Sequence, residues 1–184
     1  TLHRADVRDE KLMTELLKKS DAVIPLACLT GAPVCNRDPH AARMVNTQAI
    51  LHLLKNRSSS QMVVFPCTNS GYGIGQAGIE CDEETPLQPI SLYGQTKIEA
   101  EKALLDAGCV TFRFATVFGV SPRMRLDLLV NDFTYRAVRD RFVVLFEAHF
   151  KRNYLYVRDA AQAFSFALEN YAKLAGRPYN LGLS

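Results

Sequence analysis

The sequence predicts an α/β fold built on a parallel β-sheet, followed by part of a smaller second lobe. Short apolar runs suited to buried strands alternate with segments of helical period, which is the pattern of strand–helix–strand units. Of the 184 residues, 48% are apolar, a normal content for a chain that buries a core. After Gly119 the alternation loosens, as expected for a smaller lobe packed on the sheet.

The first elements follow from the spacing of apolar side chains. A helix is predicted over 10–19, where leucine and methionine recur at helical spacing, and the apolar run at 21–27 suits a buried strand. Pro39 can open the next helix, which is predicted over 39–55. A second buried strand is predicted over 62–65.

A long loop over 70–89 follows, and loops of that length are usually functional. Ser91 is a suitable N-cap for a helix over 92–107, and Gly108 suits the position just past its end. The run 110–114 is again typical of a strand. The remaining predicted elements are helices over 126–139 and 159–171 and strands over 142–146, 154–157 and 179–181.

Composition and charge exclude several classes of function. Lysine and arginine number 22 against 19 aspartate and glutamate and form no basic block, so no nucleic-acid partner is expected. No stretch approaches the roughly 18 to 20 apolar residues of a membrane span, and residues 1–6 have no signal-peptide character. The five cysteines contain no C-x-x-C pair and the four histidines are scattered, so we expect no metal ion. These features favour a cytoplasmic protein with inert thiols.

Tyr93 and Lys97 lie four residues apart at the start of a predicted helix, so their side chains share one face. Moving a tyrosine pKa from about 10 toward about 7 requires about 4 kcal/mol in favour of the phenolate. An ammonium about 4 Å away supplies about that much at an effective dielectric constant near 20. The pair therefore favours proton transfer, although a surface tyrosine and lysine can share the same spacing.

Small polar side chains follow the second buried strand at Thr68, Asn69 and Ser70. Ligands of open parallel sheets bind at the carboxyl ends of strands. The Thr68 hydroxyl can hydrogen-bond a substrate oxygen and share a proton with Tyr93. Turn chemistry also accounts for asparagine and serine at a strand exit, and this alternative stays open.

The ordered set of motifs resembles the extended short-chain dehydrogenases, above all the NAD-dependent sugar-nucleotide epimerases and dehydratases of the UDP-galactose 4-epimerase type. The resemblance covers nearly the whole chain and implies a partial Rossmann-type, doubly wound parallel sheet. It implies a partial dinucleotide-binding domain over 1–120, without its first βαβ unit. A partial substrate-binding lobe, with some segments returning to the sheet, is implied over 121–184.

The resemblance assigns the reaction to four side chains. Thr68 matches the catalytic serine or threonine, and Tyr93 matches the catalytic base or acid. Lys97 matches the residue that binds the nicotinamide ribose and lowers the tyrosine pKa. Asn46 resembles the helix asparagine that holds the active-site backbone and a proton-relay water. The implied cofactor is NAD, with NADP left open because the discriminating residue belongs to the absent first unit.

The resemblance implies further contacts with the dinucleotide. Asp6 and Val7 resemble the acidic and hydrophobic pair that holds the adenine. Leu26, Ala27 and Cys28 resemble the strand end that passes the pyrophosphate.

Residues later in the chain match the nicotinamide and substrate contacts. Phe114 and Val117 fall in the segment whose backbone meets the nicotinamide carboxamide and whose aromatic side chain lies near the ring. Arg152 matches the arginine that binds the nucleotide diphosphate, since a guanidinium donates two hydrogen bonds at once. The full set of predicted substrate contacts is Thr68, Asn69, Ser70, Arg123, Asn131 and Arg152.

Two departures from the family pattern shape the functional expectation. The family's first strand and glycine-rich phosphate turn do not precede Asp6, so we expect part of a longer protein that by itself holds a dinucleotide poorly. In the 4,6-dehydratases an aspartate and a glutamate follow the catalytic threonine, whereas Asn69 and Ser70 follow Thr68 here. Neither side chain transfers a proton as a carboxyl group does, which favours an epimerase.

The sequence therefore predicts NAD-dependent epimerisation of a nucleotide-activated sugar through a transient keto intermediate. Two alternatives stay open: a one-way NAD(P)-dependent dehydrogenase or reductase on a related substrate, and a non-catalytic protein that senses a dinucleotide. The resemblance also implies a homodimer formed through the helices that begin near Pro39 and Leu92. Apolar side chains on more than one face of these helices agree with it: Ala42, Val45, Ile50, Ile98 and Leu105.

Overall fold

A computed structural model of the protein describes residues 1–74, 80–146, 148–149 and 151–183. The helices are α1 (Glu10–Leu17), α2 (Ala32–Arg37), α3 (Pro39–Arg43), α4 (Ala49–Asn56), α5 (Leu92–Asp106), α6 (Leu129–Arg139), α7 (Val157–Glu169) and α8 (Tyr171–Leu174). A π-helical segment (Met44–Gln48) joins α3 to α4, and a 3₁₀ turn spans Asn69–Tyr72. The strands are β1 (Ala22–Val23), β2 (Met62–Thr68), β3 (Val110–Phe114), β4 (Thr116–Phe118), β5 (Tyr154–Tyr156) and β6 (Pro178–Leu181).

The main sheet is parallel and has the strand order β1, β2, β3, β6. Its register pairs Val64 with Val110 and Phe112 with Tyr179. Parallel neighbours need long crossovers, and helices α2 to α5 supply them between β1 and β3. Strands β4 and β5 form a separate parallel pair. The predicted α/β fold with a parallel sheet is confirmed.

Helices cover both faces of the main sheet, which explains why apolar side chains point to both faces of β2. Val63 and Phe65 pack with Leu104 of α5 on one face. Val64, which points to the opposite face, packs with Ala167 of α7. Because residues after 121 supply both α7 and β6, this part of the chain contributes directly to the main sheet and its core.

The helix predicted over 39–55 contains an irregular segment. Pro39 begins α3, and the Asp38 carboxylate caps it by accepting a hydrogen bond from the Ala41 N–H at 2.9 Å. In the π-helical segment that follows, the wider turn leaves the consecutive residues Asn46 and Thr47 both buried, at 2% and 1% exposure. Such segments are frequent at functional sites.

Helix α5 begins and ends as the sequence predicts. The Ser91 Oγ accepts a hydrogen bond from the Gly94 N–H at 3.1 Å, which satisfies one of the free donors of the first turn. Gly108 follows the helix with a φ of 73°, a conformation that favours glycine. The cap fixes the first turn of α5, in which Tyr93 lies.

A buried ion pair connects α5 to β3. The Glu101 carboxylate accepts hydrogen bonds from the Arg113 Nε, at 3.0 Å to its nearer oxygen, and from the Thr111 hydroxyl at 2.9 Å. Arg113 also donates to the Tyr72 hydroxyl at 2.9 Å and to the Glu83 carbonyl at 3.1 Å. Arg113 therefore holds Tyr72 and Glu83 of the loop that follows β2 against β3.

Two strand predictions differ from the structure. The strand predicted over 21–27 is reduced to Ala22–Val23, because Pro25 has no N–H for a ladder and Leu26 is 67% exposed. The strand predicted over 142–146 is wrong. The side chains of Phe142 and Phe146 are 66% and 86% exposed, and no neighbouring strand pairs with this run in the described part of the chain. None of the helices that the structure describes is long and apolar enough to cross a membrane.

Candidate active site

The candidate active site lies at the carboxyl end of β2, between its neighbours β1 and β3. Thr68 is the last residue of β2 and is 7% exposed. Its Oγ1 accepts a hydrogen bond from the Ser70 N–H at 3.2 Å and thereby caps the 3₁₀ turn. The strand end thus fixes the Thr68 hydroxyl, with Asn69 and Ser70 in the turn beside it.

Tyr93 lies in the first turn of α5, close enough to Thr68 for the two side chains to interact. Burial raises the pKa of Tyr93 above its ordinary value, and the nearby Cys28 and Cys67 thiols act in the same direction. The interaction with Thr68 lowers that pKa, but burial is the larger effect. The expected lowering of the Tyr93 pKa is therefore wrong for this structure, because the buried phenolate is poorly solvated.

Lys97 lies one helical turn after Tyr93 and is only 3% exposed. Its Nζ lies 3.7 Å from the centroid of the Phe65 ring, in a cation–π contact. Burial lowers the pKa of Lys97, while Cys28 favours its charged form. The sequence prediction that Tyr93 and Lys97 share one helical face at the end of β2 agrees with this placement.

Asn46 links the loop after β1 to helix α5. Its Oδ1 accepts a hydrogen bond from the Leu29 N–H at 2.9 Å, and its Nδ2 donates to the Leu29 carbonyl at 3.1 Å. The Nδ2 also donates to the Thr96 hydroxyl at 3.2 Å, and that hydroxyl donates to the Tyr93 carbonyl at 3.0 Å. The neighbouring Thr47 hydroxyl donates to the Thr96 carbonyl at 3.1 Å. Asn46 therefore holds backbone on both sides of the site.

Arg125 is a site residue that the sequence interpretation missed. Its guanidinium interacts electrostatically with Tyr93. Its Nε also donates a hydrogen bond to the Asp127 carboxylate at 3.1 Å. The Arg125 carbonyl accepts a hydrogen bond from Asn131 Nδ2 at 3.1 Å, and Asn131 Oδ1 accepts one from the Gly119 N–H at 3.2 Å. No motif in the sequence marks Arg125, because its place depends on the path of the loop between β4 and α6.

The predicted substrate residues of the second lobe have different surroundings. Asn131 is 6% exposed, and its amide is engaged by the loop that carries Arg125, so it supports that loop. Arg123 and Arg152 are exposed, and neither forms a hydrogen bond or ion pair with the described residues. The two guanidinium groups are thus accessible to a ligand.

Comparison with known proteins places the chain in a family. The model of the NAD dependent epimerase/dehydratase family matches residues 1–182. The chain belongs to that family. This assignment rests on almost the entire sequence, and it agrees with the placement of Thr68, Tyr93 and Lys97 at the end of one strand.

Three individual relatives of this chain are each less than 30% identical to it. The protein named "Uncharacterized UDP-glucose epimerase YtcB" of Bacillus subtilis (strain 168) is 29% identical over 182 residues, which are 92% of this chain and 55% of that protein. The structure of UDP-glucose 4-epimerase from Thermotoga maritima with UDP-glucose has a TM-score of 0.83 and 23% identity, covering 98% of this chain and 62% of that one. UDP-glucuronic acid 4-epimerase from Bacillus cereus, in complex with UDP-glucuronic acid and NAD, has a TM-score of 0.82 and 24% identity, covering 98% and 59%. This chain spans little more than half the length of these relatives.

The family implies a nicotinamide dinucleotide, and the residues of this structure fit one at the nicotinamide end. The buried Lys97 ammonium forms no hydrogen bond with the described residues, so its N–H donors are available to ribose hydroxyls. Leu26 and Ala27 are exposed past the end of β1, and Cys28 lies partly exposed between them and Lys97. A ligand can therefore approach this backbone directly.

The residues predicted to hold the adenine have a partner that the sequence interpretation did not identify. The Asp6 carboxylate accepts hydrogen bonds from the Arg8 N–H, Nε and Nη2 at 2.8, 2.9 and 2.7 Å. These contacts lower the pKa of Asp6 to about 2. Asp6 is thus charged at neutral pH and held in a fixed orientation, next to the half-buried Val7.

The last two cofactor candidates, Phe114 and Val117, pack inside the protein. The Phe114 ring lies 5.6 Å from the Phe164 ring of α7, so it belongs to the core on the α7 face of the sheet. Val117 packs against Ala115 and Leu155. Their side chains therefore support the segment after β3, whose backbone runs past the strand ends.

Proposed function

We propose that this chain forms most of the catalytic centre of an NAD-dependent epimerase that acts on a nucleotide-activated sugar through a transient keto intermediate. The observation that carries the proposal is the placement of Tyr93 beside the Thr68 side chain at the end of β2, with Lys97 one turn further along the same helix. A hydroxyl, a phenol and an ammonium at the end of one parallel strand form the set needed to move a proton on and off a sugar hydroxyl.

In this proposal Tyr93 exchanges a proton with the reacting sugar hydroxyl, and the Thr68 hydroxyl positions the same oxygen. The bound dinucleotide supplies hydride acceptance and return. Lys97 binds the nicotinamide ribose and keeps a positive charge near Tyr93. Asn46 keeps Leu29 and Thr96 in place, and a proton-relay water beside it belongs to the proposal.

The protonation state of Tyr93 fits the second half of the reaction. Burial keeps the phenol protonated, so Tyr93 can donate its proton to the keto oxygen as the hydroxyl is restored. To act as a base, Tyr93 needs positive charge nearby. Arg125 interacts with it electrostatically, and Lys97 lies one helical turn away. Their attraction strengthens when solvent is excluded from the site.

We further propose that the dinucleotide lies along Asp6, Val7 and the strand end at Leu26, Ala27 and Cys28, with Phe114 and Val117 supporting the nicotinamide end. The residues over 1–120 then form part of the dinucleotide-binding domain, and those over 121–184 form part of the substrate-binding lobe, with α7 and β6 as segments that return to the sheet. The exposed charge on Asp6 supports the adenine assignment. NAD is the cofactor favoured, and NADP is tested alongside it.

For the substrate we propose a UDP-sugar, by similarity to relatives named as UDP-glucose and UDP-glucuronate epimerases. Asn69 and Ser70 lie beside Thr68 and suit contacts with the sugar, and exposed Arg152 suits the diphosphate. Arg123 is also exposed and is proposed as a further substrate contact. Because neither Asn69 nor Ser70 is a carboxylic acid, dehydration is not proposed.

The experiment combines the purified protein with NAD or NADP and either UDP-glucose or UDP-glucuronate. Chromatography follows the 4-epimer, and absorbance follows the reduced dinucleotide. An epimerase forms the 4-epimer without net reduction, whereas a one-way dehydrogenase accumulates reduced dinucleotide. A dinucleotide sensor binds the cofactor and forms no product. Because the chain by itself is expected to hold a dinucleotide poorly, the assay uses saturating dinucleotide, and a folded protein that neither binds it at saturation nor forms product contradicts the proposal.

Assembly and location are also proposals, which the family resemblance supports. We infer a homodimer and a cytoplasmic location. Two side chains that the sequence suggested for the interface, Ala42 and Ile50, are 0% and 3% exposed and belong to the chain's own core, so they do not contribute a dimer surface. Light scattering after size-exclusion chromatography tests the dimer, and a monomer mass contradicts it; fractionation of native cells tests the location.

A further inference from the structure

Two thiols meet beside the candidate active site. The Sγ atoms of Cys28 and Cys35 both contact the backbone carbonyl oxygen of Leu29, at 3.5 and 3.1 Å. Cys28 is partly exposed in the loop after β1, whereas Cys35 is fully buried in α2. Because both sulfur atoms contact one oxygen and Cys28 acts electrostatically on Cys35, the two thiols are neighbours, and a movement of the loop that carries Cys28 brings them to disulfide geometry.

The thiol pair is connected to the groups that form the site. Cys28 interacts electrostatically with the Lys97 ammonium and favours its charged form. Leu29, the residue both thiols contact, is held at its N–H and its carbonyl by Asn46. The Asn46 Nδ2 also lies 3.8 Å from the Cys35 Sγ. A covalent change at the two sulfurs therefore acts on atoms that hold the loop against α5.

We propose that Cys28 and Cys35 form a redox-sensitive dithiol that reacts with low-molecular-weight disulfides such as oxidised glutathione. The Cys28 thiolate attacks one sulfur of the small disulfide, whose S–S bond breaks and releases one thiolate. The Cys35 sulfur then attacks Cys28 in the mixed disulfide and releases the second small thiolate. The two protons lost by the protein thiols pass to these thiolates, so the protein is oxidised by two electrons and the small disulfide is reduced by two.

The order of attack follows from exposure. Cys28 is accessible to a small disulfide, whereas burial raises the pKa of Cys35 and keeps it a thiol until the mixed disulfide lies next to it. Burial also raises the pKa of Cys67 and Cys109, so these two thiols stay unreactive. Cys81 is partly exposed and far along the chain, so it serves as the control cysteine.

The consequence for activity rests on the proposed function. Oxidation removes both S–H donors from the Leu29 carbonyl and pulls Cys28 toward α2, away from Lys97. We expect the loop held by Asn46 to shift and the reaction to stop reversibly. Transient disulfides of this kind occur in otherwise reducing compartments, where they sense the redox state.

The test exposes the folded protein to oxidised glutathione and then traps free thiols with an alkylating reagent in acid. Peptide mapping by mass spectrometry is expected to find one linked peptide pair, Cys28 with Cys35, which dithiothreitol reverses. Recovery of Cys28 and Cys35 as free thiols overturns the proposal, as does a lasting glutathione adduct on Cys28 of the unmodified sequence.

Two variants separate the steps. Cys35→Ser keeps a hydrogen-bond donor at that position and should trap glutathione on Cys28, whereas Cys81→Ser should form the Cys28 to Cys35 link at the same rate as the unmodified protein. If Cys28 in the Cys35→Ser variant forms a disulfide with another cysteine as readily as it links to Cys35 in the unmodified protein, the assignment of Cys35 as its partner is overturned. The epimerase assay is run on the same samples. A protein that forms the Cys28–Cys35 disulfide but shows no epimerase activity before oxidation contradicts the proposed function. The thiol proposal is then decided by the peptide mapping alone.

Discussion

The side-chain amide of Asn46 donates a hydrogen bond to the hydroxyl of Thr96, which lies fifty positions further along the chain, at 3.2 Å. Thr96 immediately precedes Lys97, and its hydroxyl in turn donates to the Tyr93 carbonyl. The position of α5 relative to the loop after β1 thus depends on one buried amide.

The Asn46→Ala substitution is expected to destabilise the fold. It leaves the Leu29 N–H without its partner and removes one of the donors to the Leu29 carbonyl, and a polar group left unpaired away from water costs about 1 to 3 kcal/mol. Urea denaturation measures the loss in the free energy of unfolding. Asn36→Ala, at an exposed position of α2, is the matched control and should change stability little. Equal stability of the two variants contradicts the role given to Asn46.

Tyr93→Phe should abolish most of the activity without unfolding the protein, because it removes only the phenolic oxygen that exchanges the proton. Loss of a general acid or base typically lowers the rate by about 100-fold to 10,000-fold. The 4-epimer assay measures the loss, with Tyr135→Phe on α6 as the control at an exposed site. A Tyr93→Phe protein as active as the parent would exclude the proposed reaction.

Lys97→Met should change how stability depends on pH. The folded pKa of Lys97 is lowered by burial, so the folded protein binds fewer protons than the unfolded chain in the range below the unfolded value of 10.5. The cost of the buried ammonium is therefore present at neutral pH and is relieved as pH rises toward that value. The stability advantage of Lys97→Met over the unmodified protein should shrink as pH rises from about 7 to about 10.

Urea denaturation at several pH values measures this difference in the free energy of unfolding. Tyr93, whose raised pKa lowers stability only above its unfolded value of 10, contributes equally to both proteins. Subtracting the stability curve of the unmodified protein from that of Lys97→Met therefore removes its contribution. Lys102→Met, at an exposed position of the same helix, is the control. A difference between Lys97→Met and the unmodified protein that stays constant with pH is inconsistent with a buried ammonium at Lys97.

Breaking the Glu101 and Arg113 pair should cost about 3 to 5 kcal/mol, because Glu101→Gln leaves a buried guanidinium without its counterion. The same change at an exposed pair, Asp132→Asn opposite Arg136, should cost at most about 1 kcal/mol. Thermal or urea unfolding compares the two. Similar losses for both variants would show that burial does not set the strength of the pair.

Arg125→Gln should lower the activity more than Arg123→Gln, since only Arg125 interacts with Tyr93. Loss of a contact with a charged group of about 1.5 kcal/mol corresponds to roughly a tenfold fall in kcat/KM. The pH profile of the activity should also shift for Arg125→Gln, because a positive charge near Tyr93 is lost. An unchanged pH profile would assign Arg125 a structural role only.

The parts of the fold that could be predicted from the sequence are those with strong local causes. The strand Val110–Phe114 has the predicted bounds, because its β-branched and aromatic residues favour a strand. Ser91 sets the start of α5 by its own hydrogen bond. The pairing of a strand, in contrast, depends on a neighbour. For this reason 21–27 is mostly a loop, and 142–146 is exposed chain.

The candidate site also contains features that the sequence predicts and features that it does not. Thr68, Tyr93 and Lys97 were predictable because a strand end and a single helical turn bring them together. The raised pKa of Tyr93 and the place of Arg125 were not, because burial and loop path arise only from the packed chain.

The π-helical segment Met44–Gln48 is also a place where this helix could gain or lose one residue during evolution. A π turn holds one residue more than an α turn, so a helix that lost one residue here would keep its flanking faces in register. Such a helix would present a single polar side chain to α5, where Asn46 and Thr47 now present two. The extra residue therefore adds a second polar contact to the helix that carries Tyr93 while leaving the two apolar flanks of α3 and α4 undisturbed.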